Sequence, residues 1–241
     1  MFDVNYDFFL IENNFKEIEG VKSEKIQGDI SSKLPLVSIV IPTYKRVSTL
    51  RETLDSVIRQ TGNHNYEILV VDNNPERGDE TELLMAEYVS VKNLLYFKNT
   101  ENIGMAGNWS RCSELANGEW VVLIHDDDLL VNNYLDEIET CLINCVDGLF
   151  VRHKKFIDGE PLPTLNNSER MEIMKITLMY QYLFPILCAS GNALRKSKIL
   201  EYGGYTSKTY APDFFFSKMV YYSNVYVTNK SLIYYRKGLN E

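Results

Sequence analysis

The chain has 241 residues, 45% hydrophobic and 24% charged, a composition that excludes a disordered or fibrous protein. That length predicts one large domain, with or without appendages, able to bury a substantial core. A formal net charge of -8 argues against a nucleic-acid partner, whose phosphates reward a basic footprint, but leaves room for a phosphate ligand held through a divalent cation.

Residues 1–33 mix Asn, Glu, Lys and Ser with scattered aromatics (Phe2, Tyr6, Phe8, Phe9, Phe15). They read as an N-terminal extension that docks on a domain spanning 34–241, with no chemistry assigned to it. No basic segment is followed by an apolar one, so no secretory signal is expected. Val37 to Ile41 is a β-branched run closed by Pro42-Thr43-Tyr44 and predicts the first strand. Thr49 and Glu52 have capping-box spacing for a helix whose apolar face is Leu50, Leu54, Val57 and Ile58. Tyr66 to Val71 predicts a second strand ending at Asp72-Asn73-Asn74-Pro75, and Asp79 caps a helix running to Val89. A short strand, Leu94 to Phe97, precedes a loop from Asn99 to Gly104 and a helix from Met105 to Ala116, which Asn117-Gly118 ends as a pair tolerant of left-handed backbone. Trp120 to Ile124 is the fourth strand, and Asn133 to Cys145 an amphipathic helix with Leu135, Ile138, Leu142 and Cys145 on one stripe.

Strands alternating with helices predict βαβ units, hence parallel strands with helices on both faces. In such a sheet the ligand crevice lies outside the carboxyl ends of the strands. Four polar clusters fall there: Pro42-Thr43-Tyr44, Asp72-Asn73-Asn74, Asn99 to Gly104, and His125 to Asp128.

The second half is less periodic. Gly148 to His153 predicts a fifth strand, Asp158 to Pro163 a loop, Glu169 to Leu187 a mainly helical stretch, and Gly191 to Leu194 a short strand. Lys196 to Glu201 predicts a helical turn and Gly203-Gly204-Tyr205 a sharp bend. A helix opening at Ala211-Pro212-Asp213 runs to Tyr222, and two strands, Val225 to Thr228 and Leu232 to Tyr235, close the chain. No apolar run reaches the ~18 residues that a spanning helix needs. The longest, Ile176 to Ser190, is interrupted by Gln181 and Pro185 and predicts a core helix, with a peripheral membrane contact as the alternative. Cys112, Cys141, Cys145 and Cys188 lack metal-ligand spacing and read as buried thiols of a reducing compartment.

Glu119 to Leu130 is the stretch that points to chemistry. The apolar run Trp120 to Ile124 stops at His125 and three consecutive carboxylates, Asp126, Asp127 and Asp128. At the dry end of a buried strand their repulsion calls for a metal ion, a basic side chain or a donor-rich backbone. The alternative is a solvated acidic turn capping the next helix.

The residues Val37 to Arg46, Leu54 to Gln60, Glu67 to Asn73, Asn102-Ile103-Gly104, Ala116 to Trp120 and the acidic cluster together resemble family 2 of the glycosyltransferases, which have the GT-A fold. The likeness covers about residues 36–140 and thins beyond 150 to Gly203-Gly204-Tyr205, Asp213 and Tyr235-Arg236. His125 to Asp128, with Gly107 to Arg111, resembles members that build bacterial surface polysaccharides.

The resemblance implies an α/β, Rossmann-like GT-A fold with a mostly parallel central sheet, a nucleotide-sugar-binding half (34–130) and a smaller acceptor-binding half (131–241). It implies an inverting, metal-dependent transfer from a nucleotide-sugar donor, read as a UDP-sugar, to a glycan or glycolipid acceptor. The cytoplasm, with peripheral contact at the inner membrane face, is the place implied. Pro42, Thr43, Tyr44, Arg46, Asp72, Asn102, Gly104, Asn108 and Asp126 would bind the nucleotide, Asp127 and Asp128 the ion, Mn²⁺ or Mg²⁺, and Asp213 would be the catalytic base. Where the motif usually begins with an acidic residue this chain has His125, read as a strand-end histidine, a ribose donor or a metal neighbour. Trp109, Tyr205, Tyr210 and Phe214 to Phe216 are expected in the core, a sugar-stacking wall being the alternative. Two rival functions are a non-catalytic nucleotide-sugar-binding protein and a nucleotidyltransferase. Against the second, Pro42 to Arg46 has no glycine to cradle phosphates.

Overall fold

The computed structural model describes residues 7, 9–29, 33–143, 146–165, 170–184, 188–209 and 211–237. Phe2, Tyr6, Phe8, Cys145, Glu169, Pro185, Leu187 and Tyr210, named above, lie outside them. The elements of the first half are β1 (Ser23–Gln27), β2 (Val37–Thr43), α1 (Val47–Ile58), β3 (Tyr66–Asp72), α2 (Glu80–Ala86), β4 (Leu94–Asn99), α3 (Gly104–Leu115), β5 (Trp120–Leu123), β6 (Leu129–Leu130) and α4 (Tyr134–Ile143); β2 to β5 with the helices between them follow the predicted alternation, while β1 and β6 are additions to it. Then come β7 (Gly148–Ile157), β8 (Ile173–Lys175), α5 (Leu178–Leu183), β9 (Asn192–Arg195), α6 (Lys196–Glu201), α7 (Phe215–Tyr222) and β10 (Val225–Lys237).

One sheet holds these strands in the order β1-β4-β3-β2-β5-β9-β7-β10-β6, with β8 paired to β10. Strands β4, β3, β2 and β5 are parallel, as are β7 and β10, while β9 runs antiparallel between β5 and β7. Every residue of β2 is buried, and its side chains alternate between two cores. Ile39 and Ile41 pack with α1, α2 and α4 on one face; Val40 packs with α3, α6 and α7 on the other. All four strand-end polar clusters therefore project from one rim.

Several local expectations are corrected by the fold. The capping box at Thr49 and Glu52 does not form: α1 starts at Val47, and its N-cap Arg46 makes no side-chain cap. Burying Leu50, Leu54 and Val57 at about 2 kcal/mol each outweighs the ~1 kcal/mol that a cap supplies. Gly118 is needed for close approach rather than for left-handed backbone, since a Cβ there would strike the Ser38 backbone N and Oγ. Of the stretch 169–187, expected helical, the described residues form only β8 and the six-residue α5, and α5 is not core. It buries Gln181 against Ser217 and turns Leu178, Met179, Tyr182 and Leu183 outward. The two closing strands are one, β10, whose register against β7 shifts between Val227 and Ile233.

The described residues 12–27 are bound into the domain. β1 adds antiparallel to β4 at the sheet edge, and Arg111 of α3 donates to Ser23 Oγ, Ile18 O and Val21 O. Asn14 Nδ2 donates to Gly203 O, and Gly203, at φ 81°, has no room for a Cβ because Glu12 O lies against it. The expected bend at 203–204 is thus the seat of the N-terminal segment.

Candidate active site

A cavity of about 980 Å³ opens at the carboxyl rim of the sheet. It brings together ten of the expected site residues: Pro42, Thr43, Tyr44, Arg46, Asn102, Gly104, Asn108, Asp126, Asp127 and Asp213. Asp72 and Asp128 are not among its walls.

The acidic turn at the end of β5 is braced from several elements. Ile124 N donates to Val40 O, Thr53 Oγ1 of α1 donates to Asp128 O at 2.8 Å, and Asp128 N donates back to His125 O. Arg236 of β10, buried and stacked over Phe156, donates from its backbone N to Asp128 Oδ1 and from Nε to Asp127 O. Its guanidinium also reaches Glu52 and Asp158. The turn is therefore held by hydrogen bonds to α1, β2 and β10, which lets three adjacent carboxylates stay packed.

Their charge is offset chiefly by Arg46, whose Nη1 lies 2.8 Å from Asp127 Oδ2 and 3.7 Å from Asp126 Oδ1. Lys45, just before it, takes a left-handed conformation, φ 55°, rarely adopted by residues other than glycine. Asp126 also accepts from Thr43 Oγ1 at 2.7 Å. Burial nevertheless pushes its carboxyl up to about 6, because the hydrogen bond from Thr43 and the charge of Arg46 do not repay the lost water.

Asp213 enters from the second half, in the 3₁₀ turn Pro212–Phe214 that leads into α7. Its Oδ1 accepts from Ala189 N at 3.1 Å, and burial raises its pKa against the opposing pull of His125. His125 stacks on Trp109, ring centroids 5.3 Å apart. Burial would lower the pKa of His125, but Asp128, Asp213 and Asp127 outweigh it and raise the value.

The expected nucleotide contacts sort into two groups. Asn102, Gly104 and Asn108 belong to an asparagine network that ties strand ends to α3. Asn73 Nδ2 donates to Asn102 Oδ1 and Gly104 O, Asn99 Nδ2 to Asn108 Oδ1, and Asn108 Nδ2 to Val71 O. Asp72 stands apart. Fully buried, it accepts from Asn74 N and Tyr96 OH and lies 3.1 Å from Lys98 Nζ, so the expected contact with base or ribose has no atom facing the cavity. Its neighbour Asn73 lines the wall instead.

The sequence matches Glycosyl transferase family 2 over residues 38–203, more than half of the chain. The chain belongs to this family. Abequosyltransferase RfbV of Salmonella typhimurium is 31% identical over 138 residues, 56% of this chain and 40% of that protein. The Escherichia coli UDP-Glc:alpha-D-GlcNAc-diphosphoundecaprenol beta-1,3-glucosyltransferase WfgD is 28% identical over 116 residues, 48% of this chain and 44% of that protein. Both matches span less than half of the relative's length. Among solved structures, S. aureus TarS in complex with UDP-GlcNAc superposes with TM-score 0.69 at 20% identity, covering 85% of this chain and 59% of that one. Mannosyltransferase PcManGT from Pyrobaculum calidifontis, in complex with GDP-Man and Mn²⁺, gives 0.59 at 18% identity, with 85% and 59% covered. At those identities the likeness shows the fold, which is GT-A.

For a family 2 glycosyltransferase, the acidic turn has a donor set that fits a divalent ion. His125, Asp127 and Asp128 offer one ligand atom each, all within 4.8 Å of one another. His125 Nδ1 and Asp128 Oδ2 lie 3.4 Å apart, an ion-pair contact, and both Asp128 Oδ2 and His125 Nε2 are buried without a hydrogen-bond partner among the described residues. Buried polar atoms left in that state are costly unless a ligand takes them up.

Sequence reasoning missed His153 and Lys155 on β7 and treated Tyr235 only as a family echo, yet all three line the cavity. A βαβ pattern gives no signal for side chains delivered by the distal end of a strand whose partner is 80 residues away in the chain.

Proposed function

We propose that this chain transfers a sugar from a uridine diphosphate donor to a hydroxyl of a glycan or lipid-linked glycan, with inversion, during surface polysaccharide assembly. The observation that carries the reading is the convergence, in one cavity, of the strand-end pair Asp126 and Asp127 with Asp213 from the opposite half. His125, Asp127 and Asp128 would hold a divalent ion; the imidazole in that set favours Mn²⁺ over Mg²⁺. When bound, the ion supplies Lewis-acid neutralisation of the diphosphate oxygens.

The protein's own residues do the rest. The loop Pro42-Thr43-Tyr44, with Asn73 beside it, offers backbone and amide groups able to read a base edge. Asp213, its pKa raised by burial, is poised to take the acceptor proton as the hydroxyl oxygen bonds to the anomeric carbon and the bond to the diphosphate oxygen breaks. A carboxylate base placed in this way contributes ~10²–10⁴-fold. The UDP donor is supported by the names of the WfgD relative and of the TarS complex, and the ion by the Mn²⁺ of PcManGT.

A lipid-linked acceptor would bring the chain to the inner membrane face by peripheral contact. Met179, Tyr182, Leu183 and Phe184 are exposed together on and after α5, which supports that placement, and no described helix is long and apolar enough to cross a membrane.

The test is turnover of a UDP-sugar panel with Mn²⁺ by the wild-type chain, Asp127→Ala and Asp213→Asn. Both variants should lose turnover at least a hundredfold, and Asp213→Asn should keep its affinity for UDP. UDP binding with no metal-dependent turnover by the wild type on any donor would return the non-catalytic reading.

A further inference from the structure

Three of the charged groups facing the cavity already have partners. Asp126 and Asp127 share Arg46, and Asp213 accepts from Ala189 N. Lys155 differs, for it lines the cavity and its ammonium makes no hydrogen bond or ion pair among the described residues. Strand geometry explains why it faces inward. β7 runs parallel to β10, with Tyr235 opposite Lys155 and Arg236 opposite Phe156. Alternation then separates two faces: His153, Lys155 and Tyr235 on the cavity side, Phe156 and Arg236 packed together on the other.

Arg236 anchors this strand pair to the acidic turn through Asp127 O and Asp128 Oδ1, so Lys155 is held one strand away from the candidate ion site. The His153 ring lies 5.4 Å from that of Tyr235. Burial, and next the charge of Lys155, lower the pKa of His153 against the opposing pull of Asp128.

We propose that Lys155 binds an oxyanion of a substrate, a phosphate of the donor or an acid group on the acceptor sugar, with Tyr235 and His153 forming the surface beside it. A cation without an internal counter-charge on a concave wall focuses its field on whatever enters, and a ligand oxyanion is the partner that the cavity itself withholds. The inference rests on the reading that the cavity takes a nucleotide sugar, and the probes below separate the two.

Calorimetric titrations in Mn²⁺ would compare wild type, Lys155→Gln and Lys155→Arg with UDP, uridine and inorganic pyrophosphate. A second arm titrates glucuronate and glucose onto each protein already loaded with UDP. A donor phosphate as the source predicts that Lys155→Gln weakens UDP and pyrophosphate about threefold to tenfold, leaves uridine unchanged, and is rescued by Lys155→Arg. An acid group on the acceptor predicts the same loss for glucuronate alone. Pyrophosphate binding that depends on Lys155 without any UDP binding would sustain the oxyanion site while removing the nucleotide reading. Equal affinities of wild type and Lys155→Gln for every probe overturn the proposal. Lys155 is exposed, so the substitution leaves the fold intact.

Discussion

Arg46 Nη1 donates to Asp127 Oδ2 at 2.8 Å, so a side chain of the first half already sits on the carboxylate expected to hold the ion. Two cations cannot both neutralise that group at full strength, and the Arg46 side chain is 38% exposed, so water already screens part of its hold on Asp127. Arg46→Met should therefore raise affinity for Mn²⁺ alone by about threefold to tenfold, the scale of a partly exposed charge pair. It should also weaken UDP in the presence of Mn²⁺ on the proposal that Arg46 binds the nucleotide. Electron paramagnetic resonance titration of free Mn²⁺ reads the first effect and calorimetry the second; weaker Mn²⁺ binding in the variant would contradict the competition.

Arg236 is the buried brace of the acidic turn. Its carboxylate partners Glu52 and Asp158 are more than half exposed and regain water if it is removed, whereas Asp127 O is left without its donor. Arg236→Met should cost about 2 kcal/mol, the loss of a charged hydrogen bond in a buried setting. Arg236→Lys should not restore stability, since a single ammonium cannot span the partners that a planar fork does. Urea unfolding of the three proteins decides this, and near-equal stability of wild type and Arg236→Met counts against the brace.

Asp72 is placed to stabilise the domain rather than to touch a ligand. Removing its carboxylate strands Lys98, of which 2% is exposed, with Asp79 as its remaining close partner, and frees the Tyr96 hydroxyl and Asn74 N–H. Asp72→Ala should lose about 3 kcal/mol, the low end for breaking a buried pair. Affinity for UDP, measured well below the melting temperature, should stay within about twofold of wild type, the range that separates an indirect effect from a lost hydrogen bond. A tenfold or greater loss would show Asp72 contacting the nucleotide.

His64 links the loop before β3 to α4, with Nδ1 2.6 Å from Glu139 Oε2 and Nε2 2.8 Å from Asp136 Oδ1. Both ring nitrogens can donate only in the imidazolium. Burial lowers the pKa, yet the two carboxylates more than offset it and raise the folded value above 6.5. A raised histidine contributes stability that is fully present below pH 6.5 and fades as pH rises through the folded pKa. Wild type should thus lose melting temperature across that interval relative to His64→Gln, whose curve should be flatter. Parallel curves above pH 6.5 would remove the histidine from the account.

The repeating β-branched runs at 37–41, 66–71 and 120–124 were enough to place the parallel strands, because full burial on two faces leaves little choice of residue. The same logic located the acidic turn, since polar residues ending a buried strand must lie on the rim. Residues 169–187 were misread because a short apolar stretch has the same pattern whether it faces a core or an open surface. The cap on α1 was misread because Glu52 is committed to Arg236, nearly 200 residues away in the chain.

By itself the sequence determined the family, the parallel strands β2 to β5 with the helices between them, and the carboxylates available for chemistry, all of which are local patterns of residue type. Only the tertiary structure decided that Asp72 points inward to Lys98, that His125 joins Asp127 and Asp128, and that Lys155 and Tyr235 reach the cavity from the far strands. The physical reason is that where a charged side chain points depends on which partner compensates it, and those partners come from segments that only folding brings together.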